Sequence, residues 1–128
     1  MTTTFINLPV RDLTTSTEFF RILGFHAGEL SPDGTSIQLT LTDTTHLMLH
    51  TTSSFAGYTG VDVPDTATAR EVIVGLGLDS REEVDDLVGR AVAAGAESLG
   101  EPEERGGRYM GGFRDLDGHQ WSFLHVGG

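Results

Sequence analysis

The sequence has no cysteine and no lysine, and it has a single tryptophan. Without cysteine the chain forms no disulfide, no thiolate metal site and no cysteine nucleophile. Without lysine it forms no lysine Schiff base and no P-loop. No apolar run approaches the roughly 18 residues that cross a membrane, and the N-terminal MTTTFINLPV has no signal-peptide pattern. These absences predict a cytoplasmic protein without a membrane segment.

Positive charge is also scarce, because eight arginines face 19 acidic residues and give a net charge of −11. Nucleic acids and anionic membranes are bound by basic patches, so both are excluded as partners. Acidic residues cluster at 79–86 and 101–104. We interpret these clusters as solvated surface rather than as a cation site, since surface charge mainly serves solubility.

The first half of the chain follows a strand–helix–strand–strand–strand pattern. Its predicted elements are a strand over 5–10, a helix over 12–23, and strands over 25–30, 35–41 and 46–51. Pro9 cannot donate a ladder hydrogen bond, which predicts an edge position for the first strand. Thr15 and Glu18 have the spacing of a capping box, and Gly24 is placed to end the helix.

Residues 52–70 are rich in Thr, Ser, Gly and Asp and are interpreted as a linker or loop. Its aromatic residues, Phe55 and Tyr58, have two interpretations. They cover a pocket, or they pack onto the rim of the fold.

The second half repeats the pattern of the first. Its predicted elements are a strand over 71–78, a helix over 80–94, a strand over 97–99, a polar connection over 101–107, and strands over 108–114 and 119–126. Ser80 and Glu83 form a capping box, and Gly95 ends the helix. The glycines of GGRYMGG at 106–112 flank a strand rather than precede a helix, so this is no phosphate loop; they predict a bulge or a close backbone approach.

The stretch FRDLDGHQWSFLHV at 113–126 contains a turn followed by an alternating strand. Asp115 to Gly118 has the composition of a tight turn. Trp121 and Phe123 fall on one face of the strand, whereas Ser122 and Leu124 fall on the other. With two such βαβββ halves, the chain is predicted to be an internally duplicated α+β domain over 1–128, with modules at about 1–52 and 71–128 joined by a linker over 53–70.

Three segments resemble the vicinal oxygen chelate superfamily, which includes glyoxalase I, bleomycin resistance proteins and extradiol dioxygenases. They are VRDLTTSTEFFRILGF at 10–25, AVAAGA at 91–96 and DLDGHQWSF at 115–123. The resemblance implies two βαβββ modules forming an incompletely closed eight-stranded barrel around a cavity, with helices outside. It also implies a homodimer, because many members of the superfamily are homodimers.

The resemblance further implies a divalent metal in the enzymes of the superfamily, with ligands on the first, fourth, fifth and last strands. The corresponding positions here are Phe5, Ile73 and Ser122, none of which binds metal well, and His50 or His46 on the fourth strand. We therefore expect no conventional metal site and no cofactor. His50 is a candidate acid or base if it faces the cavity, and the idea fails if Leu49 faces it instead. His26, His119 and His125 are interpreted as structural.

The sequence leaves three functions open, of which the last is a structural or regulatory dimer with a filled barrel and no ligand. The first is a metal-independent binder of a small molecule. Its cavity candidates are Phe5, Asn7, His50, Ile73, Gly75, Ser122 and Leu124. Tyr109 and Arg108, between the glycines of GGRYMGG, either contact the ligand as well or pack on the strand surface. Acidic drug-sequestering members of the superfamily bind cationic ligands, and the net charge of −11 would steer such a ligand. The alternative is a metal-dependent glyoxalase-like lyase or dioxygenase with a nonstandard ligand set that includes His50. Whether the chain is an enzyme stays open at the level of the sequence.

Overall fold

A computed structural model describes residues 2–127. The chain divides into two compact units, Met1–Pro64 (unit 1) and Asp65–Gly128 (unit 2). In each unit a helix packs against one face of a mixed sheet. The predicted α+β class and the repeated βαβββ order are therefore confirmed. The strands of residues 2–127 form two open sheets, of four and five strands, and no closed barrel.

Unit 1 has a four-stranded sheet within the described residues 2–64. Its elements are β1 (Thr4–Val10), α1 (Leu13–Ile22), β2 (His26–Leu30), β3 (Ser36–Thr42), β4 (Thr45–Thr51) and α2 (Thr52–Thr59). The strand order is β1-β4-β3-β2, with β1 parallel to β4 and the remaining pairs antiparallel. The edge position that Pro9 predicts for β1 is confirmed.

Helix α1 begins after Asp12, whose side chain accepts the backbone N–H of Thr15 at 3.0 Å. The predicted capping box of Thr15 and Glu18 is therefore wrong, because Asp12 and not Thr15 is the residue that caps the helix. The chain leaves α1 through Gly24, which has a φ of 101° as predicted for a helix stop.

The core of unit 1 lies between α1 and one face of the sheet. The buried apolar side chains are Leu8, Val10, Phe19, Phe20, Leu23, Ile37, Leu39, Leu47 and Leu49. Because side chains alternate along a strand, the opposite face carries Phe5, Asn7, His46 and His50. This second face is where a ligand can reach unit 1.

The prediction of a linker over 53–70 is wrong at its start, because α2 continues directly from β4. Thr51 caps α2 by accepting the N–H of Ser54 at 3.3 Å, and Gly60, with a φ of 78°, ends it. No residue of α2 is fully buried. Its sequence, TSSFAGYT, has no apolar stripe, so the pattern that reveals most helices is missing.

Unit 2 has a five-stranded sheet within the described residues 65–127. Its elements are β5 (Ile73–Gly77), α3 (Arg81–Ala93), β6 (Glu97–Ser98), β7 (Glu103–Arg105), β8 (Arg108–Arg114) and β9 (Gln120–Val126). The order is β5-β9-β8-β6, and β7 also pairs with β8. The predicted polar connection over 101–107 is thus partly a strand. Gly106 and Gly107, with φ of 55° and 82°, form the two-residue turn between β7 and β8.

Helix α3 begins at the predicted cap, because Ser80 accepts the N–H of Glu83 at 3.1 Å. The helix packs on β8 and β9. The buried apolar side chains of this layer are Val84, Val88, Ala91, Phe113, Trp121 and Phe123. The close backbone approach predicted at 106–112 is found at Gly112, where a Cβ would lie 2.7 Å from the carbonyl oxygen of Trp121.

The turn from Asp115 to Gly118 is held by buried hydrogen bonds. Oδ1 of Asp115 accepts the N–H groups of Asp117 and His119, and Oδ2 accepts the indole N–H of Trp121 at 3.0 Å. Burial raises the pKa of Asp115, although these hydrogen bonds and the nearby His119 act in the opposite direction.

Residues 65–70, here called the strap, cross over this turn. The hydroxyl of Thr66 donates to the carbonyl of Asp117, and Nε of Arg70 donates to the carbonyl of Gly118 at 2.9 Å. Gly118 has a φ of 86° and lies so close to the strap that a Cβ would stand 2.2 Å from the carbonyl oxygen of Thr66. Glycine is therefore required here for both conformation and space.

Candidate functional site

A pocket of about 450 Å³ opens on the face of the unit 1 sheet that α1 does not cover. Its lining residues are Asn7 of β1, His50 of β4, and Phe55, Tyr58 and Thr59 of α2. The pocket exists because α2 follows β4 without a linker and carries two aromatic rings back over His50. We call it the His50 pocket.

His50 is the most buried residue of the pocket lining, with 5% of its surface exposed. Its Nε2 lies 2.8 Å from Oδ1 of Asn7. Its ring lies 5.4 Å from that of Tyr58 in an edge-on arrangement and 6.2 Å from that of Phe55. Leu49 instead belongs to the buried core, so it is His50 and not Leu49 that shares a face with Asn7.

The hydrogen bond to Asn7 determines where the His50 ring carries its proton. An amide oxygen can only accept, so Nε2 donates and Nδ1 keeps its lone pair in the neutral ring. Nδ1 is buried, and no donor among residues 2–127 reaches it. Burial lowers the pKa of His50, because the charged ring loses its hydration. The site thus presents a neutral imidazole with one unused acceptor.

Phe5 lies on the same face but outside the lining of the His50 pocket. It is 53% exposed and stacks on His46, with ring centroids 5.3 Å apart. Nδ1 of His46 is 3.3 Å from Nε2 of Gln38. Phe5 and His46 therefore form an exposed aromatic platform on the sheet rather than a pair of metal ligands.

In unit 2, Ile73 and Ser122 line a concavity of about 300 Å³ together with Gln120, Met110 and Gly112. Ile73 is 60% exposed. The register pairs Gly75 with Ser122 and Gly77 with Leu124, which places these four residues on the same face as Ile73. These four candidates thus share one face. Arg108 of β8 lies on this face as well, because it alternates with Met110 and Gly112, but it is outside the lining of the concavity.

Tyr109 lies on the opposite face of the unit 2 sheet, against α3. Its hydroxyl donates to Oδ1 of Asp85 at 2.5 Å, and the guanidinium of Arg81 lies 4.8 Å from its ring centre. The hydrogen bond to Asp85 raises the pKa of Tyr109. Arg108 is exposed at the start of β8. The structure does not bring Tyr109 together with Ile73 and Ser122.

The residues at the expected metal-ligand positions do not fit a divalent ion. Phe5 and Ile73 end in hydrocarbon, and Ser122 offers only a neutral hydroxyl. No group of three or more His, Cys, Asp or Glu side chains converges within residues 2–127. His50, the best single donor, already bonds Asn7 through Nε2.

The remaining histidines lie away from the pocket lining. Nδ1 of His125 is 2.9 Å from the carbonyl oxygen of Leu78, the satisfied arrangement expected for a structural histidine. His26 is exposed on β2, and His119 adjoins the buried turn at Asp115.

No helix within residues 2–127 has the length and apolar character needed to cross a membrane.

Sequence reasoning named Asn7 and His50 as candidates and left Phe55 and Tyr58 with two interpretations. The structure places both rings in the pocket lining. Thr59 was missed, and no sequence signal identifies it. Thr51 and Gly60 are the signals that could have revealed α2, since a Thr and a Gly stand at its two ends.

Comparisons with known proteins agree with this architecture. A family model described as Glyoxalase/Bleomycin resistance protein/Dioxygenase superfamily matches residues 3–123. The chain is similar to hypothetical protein SA1046 from S. aureus, with 31% identity, a TM-score of 0.85, and coverage of 95% of this chain and 92% of that chain. A comparison with curated proteins gives no match.

Two further structures show the likeness of fold alone. A glyoxalase/bleomycin resistance protein/dioxygenase family enzyme from Burkholderia phytofirmans PsJN is 20% identical, with a TM-score of 0.80 and coverage of 95% of this chain and 96% of that chain. A glyoxalase/bleomycin resistance protein/dioxygenase from Nocardioides is 24% identical, with a TM-score of 0.76 and coverage of 98% and 83%.

Proposed function

Because the chain belongs to the Glyoxalase/Bleomycin resistance protein/Dioxygenase superfamily, we propose that it binds a small molecule in the His50 pocket and does so without a metal ion. The observation that supports this proposal is the composition of the pocket. Two aromatic rings lie beside one neutral polar pair, the exposed Asn7 and the buried His50. Pockets with mostly apolar walls and a few placed polar groups are typical of small-molecule sites.

The rings of Phe55 and Tyr58 favour a planar ligand. Aromatic pairs contribute about 0.5–1.5 kcal/mol beyond the burial of their area, and a cation over a ring contributes a similar amount. No residue of the pocket lining is an acid or a base apart from His50 and Tyr58. A net charge of −11 would raise the encounter rate of a positively charged ligand. The expected ligand is therefore a planar aromatic cation.

Metal-assisted catalysis is the alternative, and it would need His50 as one ligand of a nonstandard set. The side chains of Phe5 and Ile73 weigh against that reading, because neither has a donor atom. A cytoplasmic location and a homodimeric state remain predictions of the sequence and belong to this proposal. Sedimentation analysis would test the second of them.

The test is calorimetric titration of metal-free protein, dialysed against a chelator, with three planar tricyclic probes. The probes are 9-aminoacridine as the cation, anthracene as the neutral compound and 9-anthracenecarboxylate as the anion. We expect the cation to bind most tightly and Tyr58→Ala to weaken it about tenfold, which corresponds to one aromatic contact. Leu30→Ala, which removes another exposed side chain of unit 1, is the matched control and should bind as the wild type does.

Metal analysis of the same preparation tests the metal-dependent alternative. Stoichiometric zinc, nickel, iron or manganese that survives dialysis, together with loss of probe binding on chelation, would refute the metal-independent proposal. Unchanged probe affinity after addition of these ions would support it.

A further inference from the structure

His50 lines the pocket, and its Nδ1 is a buried acceptor that no donor among the described residues reaches. Buried polar atoms are nearly always hydrogen-bonded, and an unpaired one lowers stability. Elsewhere in the protein a comparable group is satisfied, since Nδ1 of His125 meets the carbonyl of Leu78. The unpaired atom of His50 therefore points to a partner that comes from outside the chain.

We propose that the ligand of the His50 pocket carries an N–H or O–H donor that bonds Nδ1 of His50, and that Asn7 is the positioning residue that keeps Nδ1 unprotonated. This inference rests on the proposed function and adds the chemical group that the pocket selects. Planarity suits the rings of Phe55 and Tyr58. The donor suits Nδ1 of His50, the buried polar atom beside these rings that has no partner.

Asn7 contacts the imidazole at Nε2, the ring nitrogen that is not proposed to bond the ligand. Its Oδ1, 2.8 Å from Nε2, holds the ring proton on Nε2 and the lone pair on Nδ1. The opposite tautomer would turn a proton toward the ligand and leave the amide oxygen of Asn7 facing a lone pair. Nδ1 thus accepts a hydrogen bond. A ligand with an acceptor at this position would place its own lone pair against that of Nδ1, in a buried place.

A donor can reach Nδ1 because the cover of the pocket is loosely packed. Tyr58 is 77% exposed, and no residue of α2 is fully buried. Rotation of exposed side chains is fast, on the picosecond to nanosecond scale. The Tyr58 ring, which meets His50 edge-on, can therefore move aside and stack on the ligand once the donor is in place.

The two ionisable side chains in the pocket are His50 and Tyr58. Asn7 from β1 and Ser36, the register partner of His50 on β3, are neutral. No charged side chain is part of the lining. Selection by His50 therefore depends on the direction of a hydrogen bond rather than on a charge pair.

The test uses bicyclic probes of nearly equal shape that differ in one group. Indole has one N–H donor, benzofuran has an oxygen in the same place, 1-methylindole blocks the nitrogen, and quinoline has a ring acceptor. Binding to the wild type is measured by titration with NMR detection of nitrogen-15-labelled histidine. We expect indole to bind at least about tenfold more tightly than the other three, because a site built around a hydrogen bond rejects analogues that lack it. The Nδ1 resonance should shift only with indole.

Variants of Asn7 and His50 separate positioning from simple packing. Asn7→Asp puts a carboxylate at Nε2–H, favours the doubly protonated ring and makes Nδ1 a donor, so quinoline should then bind better than indole. His50 in this variant should also titrate at higher pH than in the wild type. His50→Asn keeps an amide near the position of Nδ1 and should retain part of the preference, whereas His50→Gln places its amide near Nε2 and should lose it.

The outcomes distinguish this inference from the proposed function. If the planar cation binds the pocket but the wild type binds indole and benzofuran equally, the donor assignment is overturned and the binding function stands. If neither the tricyclic nor the bicyclic probes bind, the proposed function fails, and this inference fails with it. The wild-type comparison needs no variant to fold.

Discussion

Replacing Gly118 with alanine should destabilise unit 2 far more than the same change at Gly107. Both glycines have nearly the same left-handed backbone, with φ of 86° and 82°. A Cβ on Gly107 meets nothing within 4 Å, whereas a Cβ on Gly118 would lie 2.2 Å from the carbonyl oxygen of Thr66. The pair therefore separates the cost of the backbone conformation from the cost of displacing the strap.

The magnitude follows from the contacts that the strap makes. An alanine in the left-handed region costs about 1–2 kcal/mol, and both variants carry this cost. The clash at Gly118 is with backbone, so no side-chain rotation relieves it, and the strap must move. It then loses the hydrogen bonds of Thr66 and Arg70 to the turn, each worth about 0.5–1.5 kcal/mol. Gly118→Ala should thus lower the free energy of unfolding by about 1–3 kcal/mol more than Gly107→Ala.

Urea unfolding followed by the fluorescence of Trp121 measures this difference. Trp121 is the single tryptophan of the chain, is fully buried and bonds Asp115 at the base of the turn. With a denaturant slope of about 1–3 kcal/mol per molar urea, the two variants should differ by roughly 1 M in their midpoints. Equal midpoints would show that the strap does not restrain the turn, and the reasoning would be refuted.

Two predictions concern pH. Burial raises the folded pKa of Asp115, so the contribution of its protonated form to stability is present below the ordinary value of 3.8 and is lost as pH rises through the folded pKa. Asp115→Asn should remove this loss. An unchanged pH slope of the unfolding free energy in the variant would contradict the prediction. Because the folded pKa of His50 is lowered from 6.5, the unfolded chain takes up the proton first, so stability falls as pH drops below 6.5 and levels off beneath the folded pKa. His50→Gln should show a smaller loss over that window in the same urea measurement, and an identical loss would mean that another group titrates there.

The elements that the sequence predicted well are those with a strong periodic pattern and clear end signals. Helix α3 combines an apolar stripe, the cap at Ser80 and the stop at Gly95, and each of these is local information. The turn at Asp115 was likewise evident, because its composition alone is typical of a turn. What the sequence did not show is that Asp115 also bonds Trp121.

The elements that were missed lack such a pattern. Helix α2 consists of residues with modest helix propensity and has no buried face, so its stability comes from the cap at Thr51 and from the contacts of its rings with His50. Strand β7 is a run of three exposed charged residues that alternation cannot reveal. Pairing with β8, set by the turn at Gly106 and Gly107, makes it a strand.

The candidate site was only partly predictable for a different reason. Asn7 and His50 were both singled out, but their contact depends on the register of two parallel strands about 40 residues apart in the chain. No local pattern determines that register. Tyr109 had two interpretations, a ligand contact or packing on the strand surface, and alternation along β8 turns it toward α3.

The parallel strand pairs of the two units have matching registers, and this relates the polar pair of the His50 pocket to its counterpart in unit 2. Pro9 lies opposite His50 in unit 1, and Gly77 lies opposite Leu124 in unit 2. Counted from the helix caps at Asp12 and Ser80, Asn7 corresponds to Gly75 and His50 to Leu124. A gene duplication would produce such a pair of copies. Unit 1 has a hydrogen-bonding pair where unit 2 has a hydrogen atom and an isobutyl group, so two positions on the same scaffold account for the difference in polarity between the two strand pairs.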